Sequence, residues 1–324
     1  MIIVTGGAGF IGSCVVRTLN DKGLNDIVIV DNIANTDKWM NMRNKKFIKY
    51  VHKEQFLAEL PTYENVEAII HMGACSATTE RDFDYLWNNN FEYTKALWNY
   101  CAEKQISFIY ASSAATYGDG SLGFDDQMDI DKLLPLNGYG YSKQLFDQWV
   151  KHQALPAGNK PKQHVGLKFF NVYGPNEYYK GSMASMIFHG FNQIKNDGVI
   201  RLFKSCNPDY EDGGQLRDFV YVKDVCAVIY WLFERPQISG LFNVGTGRAQ
   251  SFRELAEATF HALGMEPDIQ YIDMPEQLRE KYQYYTKAEM AHLRYAGYKE
   301  TFMDLETGAR DYVRNYLNKG IENY

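Results

Sequence analysis

A tyrosine and a lysine four positions apart, Tyr139 and Lys143, are the residues of this sequence best suited to acid–base chemistry. On a helix, positions i and i+4 share one face, so the phenol and the ammonium can lie side by side. A free tyrosine has a pKa of about 10, too high for a good base at neutral pH, and a neighbouring cation lowers that pKa because it favours the phenolate. The pair therefore predicts removal of a hydroxyl proton while hydride leaves for an oxidised nicotinamide.

Ser113 is a third polar group that fits this chemistry. It follows the apolar run 108–111 and precedes Tyr139 by 26 residues. A hydroxyl at the end of a buried strand can hold a substrate oxygen and orient the tyrosine. Taken singly, the serine suits a strand-end cap and the YxxxK pattern suits two surface residues. Together they predict an NAD(P)-dependent enzyme that acts on a hydroxyl or carbonyl group.

The glycine-rich segment near the start of the sequence predicts a dinucleotide-binding loop. Gly6, Gly9 and Gly12 lie between the first apolar run and the first helical stretch. A pyrophosphate must approach backbone N–H groups at a helix N-terminus, and a Cβ would block that approach. Asp31 follows about 20 residues later, where such folds bind the adenosine ribose. A plain glycine turn would explain the spacing but not this context.

The identity of the dinucleotide is open at this point. Asp31 would accept hydrogen bonds from the ribose, which favours NAD. Lys38 and Lys53 can instead offset the charge of a 2′-phosphate, which would allow NADP. Taken alone, each lysine is better explained as a solvated surface charge.

The alternation of strands and helices over the first half of the chain predicts an α/β fold with a parallel, doubly wound sheet. Strands are predicted over 2–4, 26–30, 68–71, 108–111, 165–169, 219–221 and 241–244. Helices are predicted over 11–19, 86–101, 142–154, 225–233 and 252–263, and residues 176–215 are predicted to be rich in loops. The second half of the chain is less regular, and periodicity alone does not place a domain boundary there.

Composition limits the class of protein further. The 324 residues are 45% hydrophobic and 23% charged, as in an ordinary globular protein with a substantial core. A net charge of -6 argues against general nucleic-acid binding, so an anionic substrate needs a local basic pocket. The five cysteines lack metal-type spacing, and no stretch is typical of a signal peptide or membrane span. We expect reduced thiols, no metal and a cytoplasmic enzyme without nucleic-acid or membrane partners.

Several motifs occur in the order found in the extended short-chain dehydrogenase/reductase superfamily. They are the glycine loop, Asp31, Ser113, Tyr139, Lys143, NVYGP at 171–175, RDFVYV at 217–222 and FNVG at 242–245. The chain resembles this superfamily from residue 1 to about residue 250. The resemblance implies an NAD(P)-dependent activity and an α/β fold with a Rossmann-type, doubly wound parallel sheet and a smaller, mixed α/β substrate domain. The cofactor domain is then expected to span 1–170 with a returning segment at about 216–244, and the substrate domain 171–215 and 245–324.

Four further stretches narrow the resemblance. They are GACSATTE at 73–80, residues 110–118, KGSMAS at 180–185 and Tyr282-Gln283. These resemble the ADP-L-glycero-D-manno-heptose 6-epimerase family, which implies tightly held NADP and an ADP-sugar substrate. The implied reaction inverts C6″ of the heptose through a transient keto intermediate, in the synthesis of lipopolysaccharide inner-core precursors. The resemblance also implies a homo-oligomer, with a pentamer among the expected forms.

The same resemblance implies roles for individual residues. Inversion requires hydride to leave one face of a carbon and return to the other, and the family assigns a second acid/base to the lysine of KGSMAS, here Lys180. By its local sequence alone this lysine would be a solvated charge. Cofactor contacts are implied for the glycine loop and for Phe10, Ile11, Asp31, Asn32, Lys38, Lys53, Met72, Gly73, Ala74, Cys75, Ser76, Asn89, Lys143, Val172 and Lys180. Substrate contacts are implied for Ser113, Asn171, Ser182, His189, Phe203, Lys204, Ser205, Cys206, Arg217 and Tyr282.

Arg217 has the clearest physical role among the substrate candidates. A guanidinium can bind a diphosphate bidentately, although a surface ion pair with Asp218 is the alternative.

The chain also departs from the family pattern in three places. Met72 stands where an acid is expected, Gly138 precedes Tyr139, and the stretch 207–215 near the nucleotide contacts looks longer than usual.

Three other functions are weighed against the epimerase. A sugar-nucleotide dehydratase carries an acid pair after the strand-end serine or threonine, where this chain has Ala114 and Ala115, which cannot donate a proton. An epimerase acting at C4 is disfavoured by the KGSMAS stretch. A non-catalytic NADP-binding protein usually lacks the tyrosine or the lysine, and both Tyr139 and Lys143 are present.

Overall fold

The computed structural model describes residues 1–279 and 282–324, and its strands fall into one large sheet and three small ones. In chain order the strands are β1 (Ile2–Thr5), β2 (Ile27–Asp31), β3 (Lys49–His52), β4 (Ala68–His71), β5 (Ser107–Ser113), β6 (Gln163–Phe169), β7 (Asn171–Tyr173), β8 (Ile200–Phe203), β9 (Leu216–Arg217), β10 (Phe219–Tyr221), β11 (Gly240–Val244), β12 (Gln250–Ser251) and β13 (Ile269–Ile272).

The large sheet has seven parallel strands in the order β11-β6-β5-β4-β1-β2-β3. All residues of β1, β2 and β4 are buried, because helices cover both faces of the sheet. Because both faces of these strands are buried, their sequences are unbroken apolar runs rather than alternations of apolar and polar residues. The predicted doubly wound parallel sheet is confirmed.

The helices alternate with the strands of the sheet over the first half of the chain. They are α1 (Phe10–Asp21), α2 (Lys53–Glu59), α3 (Phe83–Leu86), α4 (Tyr93–Lys104), α5 (Gly138–Trp149), α6 (Met186–Asp197), α7 (Val222–Phe233), α8 (Phe252–Leu263), α9 (Glu276–Arg279), α10 (Ala291–Tyr295) and α11 (Leu305–Tyr312). A π-helical turn, Trp87–Glu92, joins α3 to α4, so the predicted helix over 86–101 is one long, locally widened helix.

The strand order reverses between β1 and β4. From β1 the chain adds β2 and β3 toward one edge of the sheet, and from β4 it adds β5, β6 and β11 toward the other edge. In such sheets ligands bind outside the carboxyl ends of the strands at this reversal. Thr5 ends β1, His71 ends β4 and Ser113 ends β5, so the loops that follow them meet at one edge. The glycine loop lies between β1 and α1 at the same edge.

The prediction that residues 176–215 are rich in loops is wrong for their middle part. There α6 spans Met186–Asp197 and is followed by β8, which pairs with β13. The helix carries ordinary end signals: the Ser185 side chain accepts a hydrogen bond from the Phe188 amide, and Gly198 ends it in the left-handed conformation with φ 79°. The polar residues around the helix led to the prediction of loops in spite of these signals.

Within residues 1–279 and 282–324, no helix has the length and apolar character needed to cross a lipid bilayer. The five cysteine thiols are all free. Cys14, Cys101 and Cys226 are buried, whereas Cys75 is half-buried and Cys206 is exposed.

Candidate active site

A cavity of about 450 Å³ opens at the carboxyl ends of the central strands. It is lined by the glycine loop, the segments after β4 and β5, one face of α5 and the turn that carries Lys180. Of the predicted site residues it contains Gly6, Gly9, Phe10, Ile11, Gly12, Asp31, Lys38, Met72, Gly73, Ala74, Cys75, Ser76, Ser113, Tyr139, Lys143, Val172 and Lys180. A smaller cavity of about 150 Å³ adjoins it and adds Asn32, Lys53 and Asn89. Every cofactor candidate therefore lines one of two neighbouring cavities.

The glycine loop packs tightly against the segment after β4. Gly6 has φ 65°, and a Cβ there would lie 2.6 Å from the Gly73 amide nitrogen, so only glycine fits. Gly9 faces the cavity. The Ala8 amide donates a hydrogen bond of 2.9 Å to Asp31 Oδ2, which ties the loop to the end of β2. The backbone is thereby held open for a ligand at the start of α1.

Charged side chains surround the smaller cavity. Lys38 Nζ donates to Asp31 Oδ1 at 2.7 Å, and both residues are mostly buried. Lys53 Nζ donates to Asn89 Oδ1 at 2.7 Å. Neither lysine is a solvated surface charge, because each is partly buried and faces the cavity.

Tyr139 and Lys143 project from α5 into the larger cavity, next to Ser113 at the end of β5. The Asn137 side chain caps α5 by accepting a hydrogen bond from the Gly140 amide, which fixes where the helix starts. Lys143 Nζ donates to the Ala111 carbonyl oxygen at 2.8 Å. The helix and the strand therefore fix the positions of all three polar groups.

The pKa of Tyr139 differs from the expectation, which was a value lowered by the neighbouring lysine. Burial raises the pKa of Tyr139 and is the largest influence on it, while the Ser113 side chain acts in the opposite direction. Burial lowers the pKa of Lys143 to about 8, and the negative charge of Asp147 one turn further along α5 opposes this. Lys143 thus keeps its proton at neutral pH and supplies a cation close to Tyr139.

Lys180 lines the same cavity from another element, a 3-10 turn formed by Tyr178–Met183. Burial lowers the pKa of Lys180, and the carboxylate of Glu177 opposes this. Among the described residues the Lys180 ammonium makes no salt bridge, and its Nζ lies 5.2 Å from the centre of the Phe10 ring. The neighbouring Tyr179 hydroxyl accepts a hydrogen bond of 2.6 Å from the Phe10 amide, so the turn lies directly over the start of α1.

Arg217 lies outside the lining of the larger cavity as the described residues define it. It is 8% exposed, with its guanidinium 5.3 Å from the Tyr282 ring and 5.6 Å from the Phe252 ring. Its alternative partner Asp218 is engaged elsewhere, because Asp218 accepts hydrogen bonds from Thr246 and from the Gly247 and Ala288 amides. Burial lowers the pKa of Arg217.

The remaining substrate candidates divide between two regions. Phe203 ends β8, and Lys204, Ser205 and Cys206 follow it. The Cys206 amide donates to the Tyr284 hydroxyl at 3.1 Å, next to Tyr282. The stretch 207–215 folds back on them, since the Ser205 amide donates to Asp212 Oδ1 at 2.8 Å. Asn171 starts β7, Ser182 lies on the lysine turn and His189 on α6.

Comparison with known proteins agrees with this geometry. Residues 2–245 match the model of the NAD dependent epimerase/dehydratase family. The chain belongs to this family.

The similarity to particular members extends along the whole chain. It is 54% identical over 323 residues to the ADP-L-glycero-D-manno-heptose-6-epimerase of Nitratidesulfovibrio vulgaris strain Hildenborough, with 98% of each protein covered. It is 52% identical over 331 residues to the enzyme of that name from Fusobacterium nucleatum subsp. nucleatum, again with 98% of each covered. Among solved structures, the Helicobacter pylori ADP-L-glycero-D-manno-heptose-6-epimerase superposes with a TM-score of 0.81 at 28% identity, covering 97% of this chain and 95% of that one. The resemblance expected from the motifs is confirmed.

Asn90, which the sequence reasoning missed, links the cofactor side of this epimerase/dehydratase fold to α5. Its Nδ2 donates to the Cys75 carbonyl at 2.9 Å and to Ser142 Oγ at 3.0 Å, and its Oδ1 accepts from the Cys75 amide at 2.8 Å. Ser142 Oγ donates in turn to the Tyr139 carbonyl at 2.7 Å. Three successive asparagines inside a helical stretch were the available signal, because asparagine is a poor helix former.

His71 is a second residue that the sequence reasoning missed. It is buried, its pKa is lowered by burial to about 3, and it is therefore neutral at working pH. The Thr94 hydroxyl donates to the Asn90 carbonyl oxygen, so the Thr94 oxygen accepts the hydrogen bond from His71 Nε2. The proton of the neutral His71 ring is therefore on Nε2, and His71 Nδ1 accepts from the Thr5 hydroxyl. Thr5 Oγ1 also accepts from the Gly73 amide at 3.3 Å. This chain of hydrogen bonds holds Gly73 against the glycine loop.

Proposed function

We propose that the chain is an NADP-dependent epimerase that inverts C6″ of ADP-glycero-manno-heptose, interconverting the D-glycero and L-glycero forms. The observation that carries the proposal is that two acid/base groups from different elements, Tyr139 on α5 and Lys180 on the Tyr178–Met183 turn, line one cavity. The 54% identity to an enzyme named for this reaction supports the choice of substrate.

The deciding test is conversion of each ADP-heptose epimer by purified protein supplied with NADP, followed by resolution of the two epimers. The proposal expects the same equilibrium mixture from either starting epimer. If both epimers are returned unchanged, the substrate assignment is wrong.

The residues of the larger cavity fit a dinucleotide. A Cβ at Gly9 would lie 3.0 Å from the Gly6 carbonyl oxygen and 3.1 Å from the Tyr179 hydroxyl, so the glycine keeps the start of α1 open. We assign the pyrophosphate to the glycine loop and the Ile11 amide, where a helix N-terminus favours negative charge, because the Phe10 amide already donates to the Tyr179 hydroxyl. When bound, NADP supplies the acceptor that takes a hydride from C6″ and returns it.

The charges at the smaller cavity support NADP rather than NAD. Lys38 neutralises Asp31 by direct pairing, and Lys53 adds a second positive charge nearby. Two lysines against one aspartate leave a net charge of +1 among these three side chains, which suits a 2′-phosphate.

Replacing both lysines, in the variant Lys38→Ala/Lys53→Ala, is expected to lower the affinity for NADP roughly 30-fold and to leave NAD binding nearly unchanged. Each charge-assisted hydrogen bond to a phosphate contributes about 1 kcal/mol at such a half-open site, and removal of Lys38 frees Asp31 for a ribose. Fluorescence titration with both dinucleotides measures the ratio. Lys46→Ala, at an exposed lysine, is the control, and an unchanged ratio of NADP to NAD affinity in the double variant would contradict the assignment.

The two acid/base groups follow from the demands of inversion. We infer that Tyr139, beside the Lys143 cation and Ser113, exchanges the proton of the C6″ oxygen in one orientation of the sugar. Lys180 exchanges it in the other orientation, and burial lowers its pKa toward the working range. The flat ketone can then be presented with either face to the cofactor.

We assign the ADP moiety to the region around Arg217. The guanidinium lies next to the Tyr282 and Phe252 rings, and its candidate partner Asp218 accepts hydrogen bonds from other groups. Arg217 Nη1 donates to the Leu216 carbonyl oxygen at 2.8 Å, and we assign the other N–H donors of the guanidinium to an anion such as a diphosphate. Asn171, Ser182, His189 and the 203–206 stretch complete the proposed substrate contacts. The division into a cofactor domain (1–170 with 216–244) and a substrate domain (171–215 with 245–324), a homo-oligomeric state and a cytoplasmic location belong to the same proposal.

The variant Arg217→Ala is expected to raise KM for the ADP-sugar about a hundredfold with little change in kcat. Loss of a bidentate, charge-assisted contact far from the reacting carbon removes binding that ground state and transition state share. Arg217→Lys is expected to lie in between, because it keeps the charge but loses the planar fork. Steady-state kinetics measures both, with Arg201→Ala at an exposed ion pair as control. A KM within threefold of the wild-type value would refute this placement of the diphosphate.

A further inference from the structure

Three asparagines from distant parts of the chain meet behind the larger cavity. Asn323 Nδ2 donates to Asn41 Oδ1 at 2.7 Å and to Asn176 Oδ1 at 3.4 Å. Asn41 Nδ2 donates to the Asn176 carbonyl oxygen at 3.2 Å. We call Asn41, Asn176 and Asn323 the asparagine clasp. Asn41 and Asn176 are 2% and 0% exposed, so their bonds are shielded from water.

Asn176 is held in a conformation that its side chain contacts must stabilise. Its φ is 77°, in the left-handed region where asparagine is tolerated and most other residues are strained. Its Oδ1 accepts from the Tyr324 amide at 2.9 Å, and its Nδ2 donates to Ser13 Oγ at 2.9 Å. Asn176 therefore joins the 322–324 segment to the buried face of α1.

Each arm of the clasp reaches an element of the proposed site. Asn41 Nδ2 also donates to the Ala8 carbonyl oxygen of the glycine loop at 3.0 Å, and Asn41 belongs to the 3-10 turn Asp37–Met42 that carries Lys38. On the other arm, Asn176 immediately precedes the turn that carries Lys180, and the Tyr178 hydroxyl in that turn donates to the Glu322 carbonyl at 2.7 Å. The 322–324 segment is thus bonded to both sides of the cavity.

Glu177 lies between the clasp and the lysine. Its buried carboxylate accepts from the Ser185 amide at 2.7 Å and from Ser185 Oγ at 2.6 Å, and the Lys180 amide donates to the Glu177 carbonyl at 3.0 Å. The same carboxylate raises the pKa of Lys180 against the effect of burial. A shift of Asn176 would therefore move both Lys180 and the charge that tunes it.

We propose that the asparagine clasp is a positioning device that sets the Lys180 turn at a fixed distance from the glycine loop. Its residues touch neither substrate nor cofactor; they act through Ala8 on one side and through Glu177 on the other. The inference rests on the proposed function for the role of Lys180, but the contact network itself does not.

Two variants open the clasp without replacing a residue that lines either cavity. Asn323→Ala removes the bonds to Asn41 and Asn176, and Asn176→Gly removes that side chain while keeping a residue that adopts φ 77° readily. Matched controls are Asn159→Ala, which breaks a 2.8 Å Asn–Asn bond to Asn99 elsewhere, and Asn65→Gly, an exposed asparagine with φ 56°. If one clasp variant fails to fold, the other still carries the test.

Hydrogen exchange of the backbone amides in 176–185 measures the positioning without substrate. Both clasp variants are expected to accelerate this exchange roughly three- to tenfold, the effect of one or two lost hydrogen bonds, although residue 323 is remote in sequence. In the double variant the two effects are not expected to add, because each opens the same network. Unchanged exchange in 176–185, or strictly additive effects, would overturn the proposal.

The pH profile of kcat separates positioning from simple stability. In the clasp variants the limb that belongs to Lys180 is expected to move to higher pH, because a looser turn relieves the burial that lowers the pKa of Lys180. The limb of Tyr139 is expected to stay. If the clasp variants have a lower Tm but both limbs of the pH profile stay at their wild-type pH, the clasp contributes only to stability and the positioning proposal is wrong. If the wild-type chain does not convert ADP-heptose, the proposed function fails, and the exchange experiment still decides on the clasp.

Discussion

The variant Tyr139→Phe is expected to lose about a thousandfold in kcat, with KM for the sugar nucleotide nearly unchanged. The substitution removes one hydroxyl from the wall of the cavity and leaves the ring in place. General acid–base catalysis by one positioned group contributes on the order of 10²–10⁴ in rate, and this group acts in the transition state rather than in binding. Burial raises the pKa of Tyr139 in the chain alone, so the phenol depends on the Lys143 cation and the oxidised nicotinamide to act as a base.

Tyr141→Phe is the matched control for this variant. Tyr141 lies two residues further on the same helix, is 45% exposed and stacks on Phe83 with ring centres 5.5 Å apart. Tyr141 is not among the residues that line the two cavities, so removal of its hydroxyl is expected to change kcat less than twofold. Initial-rate measurements of epimer conversion compare the two. A Tyr139→Phe enzyme that retains more than a tenth of wild-type kcat would remove Tyr139 from the mechanism.

The sequence predicted the cofactor half of the molecule well because its signals are local. An unbroken apolar run, glycines at fixed spacing and an acid at the end of the next strand all lie within 31 residues. The structure brings every cofactor candidate to one of two adjoining cavities. The edge strand β3 escaped prediction, because only Val51 of its four residues is buried and its pattern is correspondingly weak.

The sequence could not predict contacts that join distant segments. Nothing local to Asn41 indicates that it bonds to residues 135 and 282 positions away, and a lone asparagine is usually a turn or surface residue. Lys180 illustrates the same limit, because its polar neighbours suggest a solvated charge while the fold buries it over α1. Only the resemblance of the KGSMAS stretch pointed to it.

Two lysines that line the larger cavity, Lys143 and Lys180, differ in how their ammonium groups are held, which suits different tasks. Lys143 donates to the Ala111 carbonyl oxygen at 2.8 Å, which holds its ammonium in one place, and the carboxylate of Asp147 lies one turn away. Lys180 makes no salt bridge among the described residues, and only Glu177 opposes the effect of burial on its pKa. A lysine in the first setting tunes a neighbour, whereas one in the second can itself exchange a proton.

The variant Lys180→Met is therefore expected to lose epimerisation by a factor of about 10²–10⁴ while keeping one half-reaction. Methionine preserves the length and packing of the side chain but cannot exchange a proton. Lys180→Met retains Tyr139, so it can oxidise only the epimer that presents its C6″ hydroxyl to the phenol. Tyr139→Phe retains Lys180, so it can oxidise only the opposite epimer. Lys195→Met, at an exposed lysine in the last turn of α6, is the control and is expected to epimerise normally.

Single-turnover experiments with each pure epimer distinguish this arrangement from a one-base mechanism. Absorbance of the reduced nicotinamide reports oxidation of the sugar, and Lys180→Met and Tyr139→Phe are expected to oxidise opposite epimers. If both variants oxidise the same epimer, or if Lys180→Met oxidises both at the wild-type rate, Lys180 is not the second acid/base. Opposite preferences would mean that the cavity accepts the C6″ oxygen on two sides, because no single group reaches both orientations.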